Sequence, residues 1–505
     1  MTTVTRRSLL IGGAAGLALA TAGAGFAKLD DPFTLGVASG DPGPDGMVLW
    51  TRLAPEPLNE DGLGGMPNRV VPVRWELAED ERFRRVVRRG VQPARPESAH
   101  SVHVETFGLR PGREYFYRFK VDDHVSPVGR TRTTPEPGVL GQDLTMCFAS
   151  CAHYGEGYFT AYRRLAEDHP DVVLHLGDYQ YEYAAKAGDV RAVLGPETRT
   201  LADYRLRHAQ YKTDADLQLA HSVAPWVVVW DDHETENNWA DEVPEQPDPA
   251  FLDRRAAAFR AYYENMPLRR GAKPDGIDMR LYRRIRWGGL VDFHMLDTRQ
   301  YRDDQACGDG WKTCADAGLP TRTITGAEQE AWLLDGFRRS RSRWDVLGQQ
   351  VFFAERDRED GPGKELSMDS WDGYLASRDR VTRGWVDAKV RNAVVLTGDV
   401  HAAYAAEIKA DWNDPASSRT VGTELVCTSV TSGGDGNDTA DEVQLRNNPH
   451  IKLHSRRRGY VRTKFTAREL RADFRALPYV RAAGAEATTV ASFVVEDRDP
   501  GLHAV

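Results

Sequence analysis

Two hydrophobic rhythms divide the chain. Between about Pro32 and Thr134, apolar and polar residues alternate in short runs such as Val71-Pro72-Val73-Arg74-Trp75-Glu76-Leu77 and Ser101-Val102-His103-Val104-Glu105, with Gly- and Pro-rich turns between them. Period-two alternation bounded by turn formers predicts half-buried β-strands. From Asp143 the pattern changes. Residues 144–149, 172–176, 226–230 and 393–397 are short and almost wholly apolar, as strands covered on both faces are. Apolar residues on one face predict helices over 158–168, 253–266 and 327–339. Apolar strands alternating with such helices predict an α/β unit. The stretch Thr131-Arg132-Thr133-Thr134-Pro135-Glu136-Pro137-Gly138 reads as a linker, which places a β-rich unit at residues 32–134 and an α/β unit at 140–505. In the tail, residues 488–495 have strand pattern and are expected either to complete the sheet or to cover a pocket.

In the first unit, Leu109-Arg110-Pro111-Gly112-Arg113-Glu114-Tyr115 is a Leu, a Pro-Gly turn and a Tyr opening an alternating strand. It resembles the tyrosine corner of fibronectin type III domains and implies a β-sandwich. Ahead of it, Thr5-Arg6-Arg7-Ser8-Leu9-Leu10 precedes an apolar, Gly- and Ala-rich run to about Ala20, shorter than the roughly 18–20 residues of a membrane span. Small residues then lead to Ala27. This is the pattern of a twin-arginine signal peptide over residues 1–27, removed after Ala27. The mature protein is expected to be secreted, or periplasmic or in the cell envelope, exported by the twin-arginine machinery and without a transmembrane span.

Composition narrows the classes. A chain of 505 residues is long enough for two cores, and 41% hydrophobic with 28% charged residues is ordinary for a soluble globular protein. A net charge of −9 argues against a stable nucleic-acid complex, which calls for a basic surplus. Five cysteines is an odd count for an exported chain. Cys307 and Cys314 share a Gly- and Asp-containing loop and are expected to pair. Cys147 and Cys427 read as buried strand residues, which leaves Cys151.

Cys151 lies where the polar residues concentrate. Four of the apolar strands end in loops rich in ligand-type side chains: Ser150-Cys151-Ala152-His153-Tyr154, Gly177-Asp178-Tyr179-Gln180-Tyr181-Glu182, Asp231-Asp232-His233-Glu234-Thr235-Glu236-Asn237-Asn238, and Gly398-Asp399-Val400-His401. Functional side chains of α/β sheets gather at such strand ends. One such cluster means little, since a Gly-Asp after a strand is usually a turn. Four of them would bury uncompensated charge at one end of a sheet unless cations resolve the cost.

The order Gly-Asp-x-x-Tyr, Asp-His-Glu, Gly-x-x-His resembles calcineurin-like metallophosphoesterases. Longer strings are similar to the alkaline phosphatase D family and related iron-dependent phospholipase D enzymes. They are Phe33-Thr34-Leu35-Gly36-Val37-Ala38-Ser39-Gly40-Asp41-Pro42, Trp230-Asp231-Asp232-His233-Glu234, Leu296-Asp297-Thr298-Arg299-Gln300-Tyr301-Arg302, Trp371-Asp372-Gly373-Tyr374 and Thr431-Ser432-Gly433-Gly434-Asp435-Gly436. The resemblance runs from about Phe33 to Gly436. It implies a four-layer α/β/β/α catalytic sandwich holding two adjacent metals, preceded by the fibronectin-III-like β-sandwich.

Carried over by position, the resemblance makes Asp178 the carboxylate bridging both metals. Tyr181 and His401 become ligands of a ferric site (Fe3+), with Cys151 where other metallophosphoesterases have a carboxylate. Asp232 falls at the second metal, and His233 at the histidine that protonates the leaving group. Asp399 stands where most of the superfamily has a metal-binding His. That departure leaves the second site mainly hard oxygens, which favour calcium (Ca2+) or another hard divalent ion. Tyr179 and Tyr183 flank Tyr181 and are its alternatives. Asn237, Asn238, Arg299 and Arg302 are candidates either for the substrate phosphate or for bracing, while His153 and His175 read as structural. The implied activity is hydrolysis of phosphate monoesters, diesters or phospholipids by water activated at the metals. The alternative is a non-catalytic extracellular metal-binding or adhesion protein built on the sandwich.

Overall fold

The computed structural model describes residues 29–361 and 363–505; the signal peptide read at residues 1–27, with Arg6 and Arg7, lies outside the described residues. Two large sheets dominate. The first has ten strands, with Leu144–Ala149, Val172–Leu176, Pro225–Val229 and Val37–Gly40 adjacent and parallel at its centre. The second has seven, with Val291–Met295, Trp344–Gly348, Ala393–Thr397 and Thr420–Val426 adjacent and parallel.

The sheets pack face to face, and period-two alternation sorts the side chains of the second. Trp344, Val346, Val394 and Leu396 join Phe148 and Leu174 in the core between the sheets. Leu347 and Val395 point the other way, onto Leu333 and Phe337 of helix Gly326–Arg339 and Val381 and Trp385 of helix Leu375–Ala388. Helices Ala215–Val223 and Phe251–Asn265 cover the outer face of the first sheet through Leu217, Ala220 and Phe259. The layers run α/β/β/α, preceded by a β-sandwich region.

That region shares its backbone hydrogen bonding with the catalytic layers. Its five-stranded sheet, which includes Val71–Ala78, Val86–Ala94 and Glu114–Val121, packs Val73, Leu77, Tyr117 and Phe119 onto Val37, Leu49 and Val102. Those last three residues lie on strands Val37–Gly40, Val48–Arg52 and Ser101–Glu105, which form one edge of the ten-stranded sheet. The linker therefore does not separate two independent sheets. Trp50 Nε1 donates to the Glu264 carbonyl (3.0 Å), and Arg283 pairs with Asp41 (2.8 Å) across the same junction. The tyrosine corner is formed: the Arg110 N–H donates to the Tyr115 hydroxyl oxygen at 3.0 Å.

The tail completes the sheet. Arg458–Phe465, Glu469–Leu477, Thr488–Glu496 and Asp499–Ala504 add four antiparallel strands beside Leu144–Ala149. Cys307 and Cys314 form a disulfide, and Cys147, Cys151 and Cys427 are buried free thiols. Among the described residues, no helix is long and apolar enough to cross a membrane.

Candidate metal centre

The four loop clusters converge where strands of the two sheets end. Five of the residues they contain sit on left-handed backbone: Cys151 (φ 60°), Asp178 (54°), Asn238 (47°), Asp399 (61°) and His401 (50°). This region is uncommon for non-glycine residues and costs free energy, so its repetition marks a site where the surrounding structure enforces the geometry. Gly177 makes the approach possible. At φ 105°, a Cβ there would meet the Asp231 Cβ at 2.5 Å.

Buried Glu234 ties the loops together. Its carboxylate accepts the backbone N–H groups of Asp178 (3.0 Å), Tyr179 (2.6 Å) and Asp231 (2.9 Å), locking the second cluster onto the third. Burial pushes its carboxyl up to about 7 against these hydrogen bonds.

Two ligand sets result. Cys151, Asp178 and His401 offer donor atoms within 4.8 Å of one another, and so do Asp178, Asp232 and His233. Asp178 belongs to both. The Tyr181 hydroxyl completes the first set, donating to Asp178 Oδ2 at 2.9 Å, 3.2 Å from His401 Nε2, and accepting from Ser432 Oγ at 2.7 Å. Tyr179 instead turns its hydroxyl to His221 Nε2 (2.8 Å), and the Tyr183 ring lies against His233 at 5.3 Å. Asp399 joins neither set. It is half-buried at the end of Ala393–Thr397, where burial and the charge of Asp369 raise its carboxyl to about 6.

The donors fit cations. Asp178 Oδ1 is buried without a hydrogen-bond partner. Burial first, then the carboxylates Asp232, Asp231 and Glu234, push the Asp178 carboxyl well above its usual range, His233 only partly opposing them. Burial, followed by Arg458, lowers His401 to about 3, so its imidazole is neutral with a lone pair to give. Thiol, phenol, imidazole and carboxylate in one set, and two carboxylates with an imidazole in the other, are all metal-ligand donors.

His233 is built differently. Its Nδ1 lies 2.8 Å from Glu182 Oε2, while Nε2 stands free, 4.0 Å from Asp232 Oδ2. Burial works against protonation, yet Glu182, Asp232 and Asp178 outweigh it and hold the imidazolium well above its usual pKa.

Arg299 and Arg302 are fully buried and turned onto carboxylates. Arg299 takes both oxygens of Asp369 (2.8 and 2.8 Å) and Asp231 Oδ1 (2.5 Å), and Arg302 takes Asp369 Oδ1 at 2.6 Å. Despite burial, the two arginines hold Asp369 well below the usual carboxylate range. Asn237 is engaged by Glu182 (2.9 Å) and Glu245 (2.7 Å), and the Asn238 N–H donates to Asp232 Oδ2 at 2.8 Å. Both arginines are thus engaged on carboxylates, and a phosphate reaching Arg299 would have to displace Asp369, whereas Arg302 Nε is buried without a partner. Arg299→Ala should therefore cost about 3–5 kcal/mol of folding stability, the usual result of stranding buried charges. Chemical denaturation checks this; a stable variant with only a raised KM would restore the phosphate-binding role.

Three supporting residues are not singled out by the sequence. Glu182 and Glu234 lie inside the quoted clusters, whereas Asp369, two residues before Trp371, carries no local signal.

A family model of PhoD-like phosphatases matches residues 146–474, and one of the PhoD-like phosphatase N-terminal domain matches residues 18–135. The chain is 51% identical over 484 residues to Alkaline phosphatase D of Bacillus subtilis (strain 168), covering 94% of this chain and 82% of that protein. A solved structure of PhoD superposes with a TM-score of 0.92 at 50% identity, covering 94% of this chain and 92% of the other.

Proposed function

The chain belongs to the PhoD-like phosphatase family, and from that membership we propose how its own residues carry out the metal-dependent hydrolysis of phosphate esters. It is a phosphoric-ester hydrolase of the alkaline phosphatase D kind. Cys151, Asp178, Tyr181 and His401 would hold ferric iron. Asp178 and Asp232, with Asp399 drawn in, would hold calcium or another hard divalent ion. Ions held there would supply Lewis acidity toward the phosphate and would lower the pKa of a water.

The protein's own groups do the rest. Asp178 keeps both sites together through one carboxylate. His233 gives the proton on Nε2 to the departing ester oxygen, and the neutral ring that remains keeps its Nδ1–H on Glu182. Arg299, Arg302 and Asp369 hold the Asp231-Asp232 loop in place. The substrate is a phosphate monoester or diester, a phospholipid being one diester of that class. The Arg6-Arg7 signal sends the protein out by the twin-arginine route, to substrates outside the cytoplasm.

The observation that carries this reading is the membership of Asp178 in both ligand sets, with a buried oxygen left unpartnered. The test is hydrolysis of aryl phosphate monoesters and diesters by protein purified from the exported fraction, before and after chelation, with metal analysis and a visible spectrum. Activity should fall on chelation and return with iron and calcium, and a phenolate-to-iron absorption band should vanish in Tyr181→Phe. Full activity in metal-stripped protein would sink the reading.

A further inference from the structure

We propose that His153 is a substrate-binding residue of this centre, donating a hydrogen bond to a non-bridging oxygen of the substrate's phosphate group; the inference rests on the phosphoesterase reading above. By sequence it passes for a structural histidine near the end of Leu144–Ala149. The structure places it two residues past Cys151, its carbonyl fixed by the Thr431 hydroxyl at 2.8 Å. Its ring lies 4.6 Å from that of Tyr181 and 6.2 Å from that of Tyr183. His233 rests against the same two rings, at 4.2 and 5.3 Å. The two imidazoles therefore line one aromatic wall beside the ligand sets.

Hydrogen bonding separates His153 from the other histidines of this region except His208, whose two ring nitrogens are also unpartnered but whose ring lies against Tyr179 and Tyr262 rather than against Tyr181 and the ligand sets. His233 has Glu182, His401 has Tyr181, His175 has the Tyr162 hydroxyl and His221 the Tyr179 hydroxyl. His153 is 5% exposed, and neither of its ring nitrogens has a partner. Burying an imidazole without replacing its water contacts is costly, and a packing role alone would be filled as well by Phe. Nor does His153 join either ligand set. An N–H beside a centre that holds an anionic group has an obvious acceptor there. Lys186, exposed and with its Nζ 3.6 Å over the Tyr183 ring, adds positive charge to the outer side of the same wall.

The experiment is calorimetric binding of inorganic phosphate to the metal-loaded enzyme and to His153→Phe, His153→Ala and His153→Gln, with metal content and KM for an aryl phosphate. Loss of one hydrogen bond to a charged group predicts about ten- to a hundred-fold weaker phosphate binding in the Phe and Ala variants. KM should rise in parallel, kcat should change less, and metal content should stay at the wild-type level. Gln keeps an N–H donor and should recover most of the affinity. Wild-type phosphate affinity in His153→Phe would overturn the assignment, leaving a packing residue or a water site. Loss of metal in both Phe and Ala variants would overturn it too, making His153 part of the metal shell. If the wild-type enzyme itself neither binds phosphate nor hydrolyses esters, the phosphoesterase reading fails instead.

Discussion

Asp178→Asn is expected to empty the centre of metal and to remove nearly all hydrolysis. The substitution keeps shape and removes one negative charge from the only side chain that both ligand sets share. Two cations a few ångströms apart repel each other, and a bridging carboxylate is what makes their proximity tolerable. The metal-free state should respond in the opposite way. There the Asp178 carboxylate is disfavoured by burial and by Asp232, Asp231 and Glu234, and its Oδ1 has no partner. Metal-free Asp178→Asn should therefore be at least as stable as metal-free wild type, and less stable than the metal-loaded wild type by the binding energy it has lost. Metal analysis, turnover and thermal unfolding of both proteins, with and without metals, check all three points. A variant that keeps both metals and full activity would show that Asp178 does not bridge them.

His233→Ala is expected to fail differently. With Nδ1 on Glu182 and Nε2 4.0 Å from Asp232 Oδ2, His233 is the proton donor proposed above. Its removal should leave metal content intact and lower turnover by about a hundred- to ten-thousand-fold, the usual range for general-acid help. The loss should shrink for nitrophenyl esters, whose leaving group departs without a proton, and grow for alkyl esters. Glu182→Gln should move in the same direction by less, because the imidazole stays but loses the carboxylate that orients and charges it. His233 also lies in the second ligand set, so metal content is the deciding measurement. If the variant loses metal as Asp178→Asn does, His233 is a ligand and the acid is another group.

Periodicity reads the sequence well wherever one face or both faces of a strand are simply apolar. The expected strands at 101–105, 144–149 and 172–176 coincide with those observed, and the helices at 253–266 and 327–339 shift by one or two residues. It reads the second sheet poorly, predicting no strand between residues 231 and 392. Strand Val291–Met295 carries Asp292 and His294 in its interior, and Trp344–Gly348 carries Asp345. These polar residues are buried because each has a partner on another segment: His294 Nε2 lies 3.2 Å from Asp345 Oδ1, and Arg286 reaches Asp292 at 3.3 Å. A pairing made across the sheet leaves no trace in a local hydrophobic pattern.

By itself, then, the sequence determined the strands that are apolar on one or both faces, which loops carry ligand-type side chains, and that Cys307 and Cys314 pair. All of these depend on neighbours within a few residues. Only the tertiary structure decided that Tyr181 rather than Tyr179 meets His401, 220 positions away, and that Glu234 clamps the Asp178 loop across 56 positions. It also turned Arg299 and Arg302 onto Asp369, ran one sheet from the β-sandwich region into the catalytic layers, and left His153 without a partner beside the centre. Spacing along the chain reports what a side chain is. Its hydrogen-bond partners and its access to solvent, which set its charge and its chemistry, depend on segments that only folding brings together.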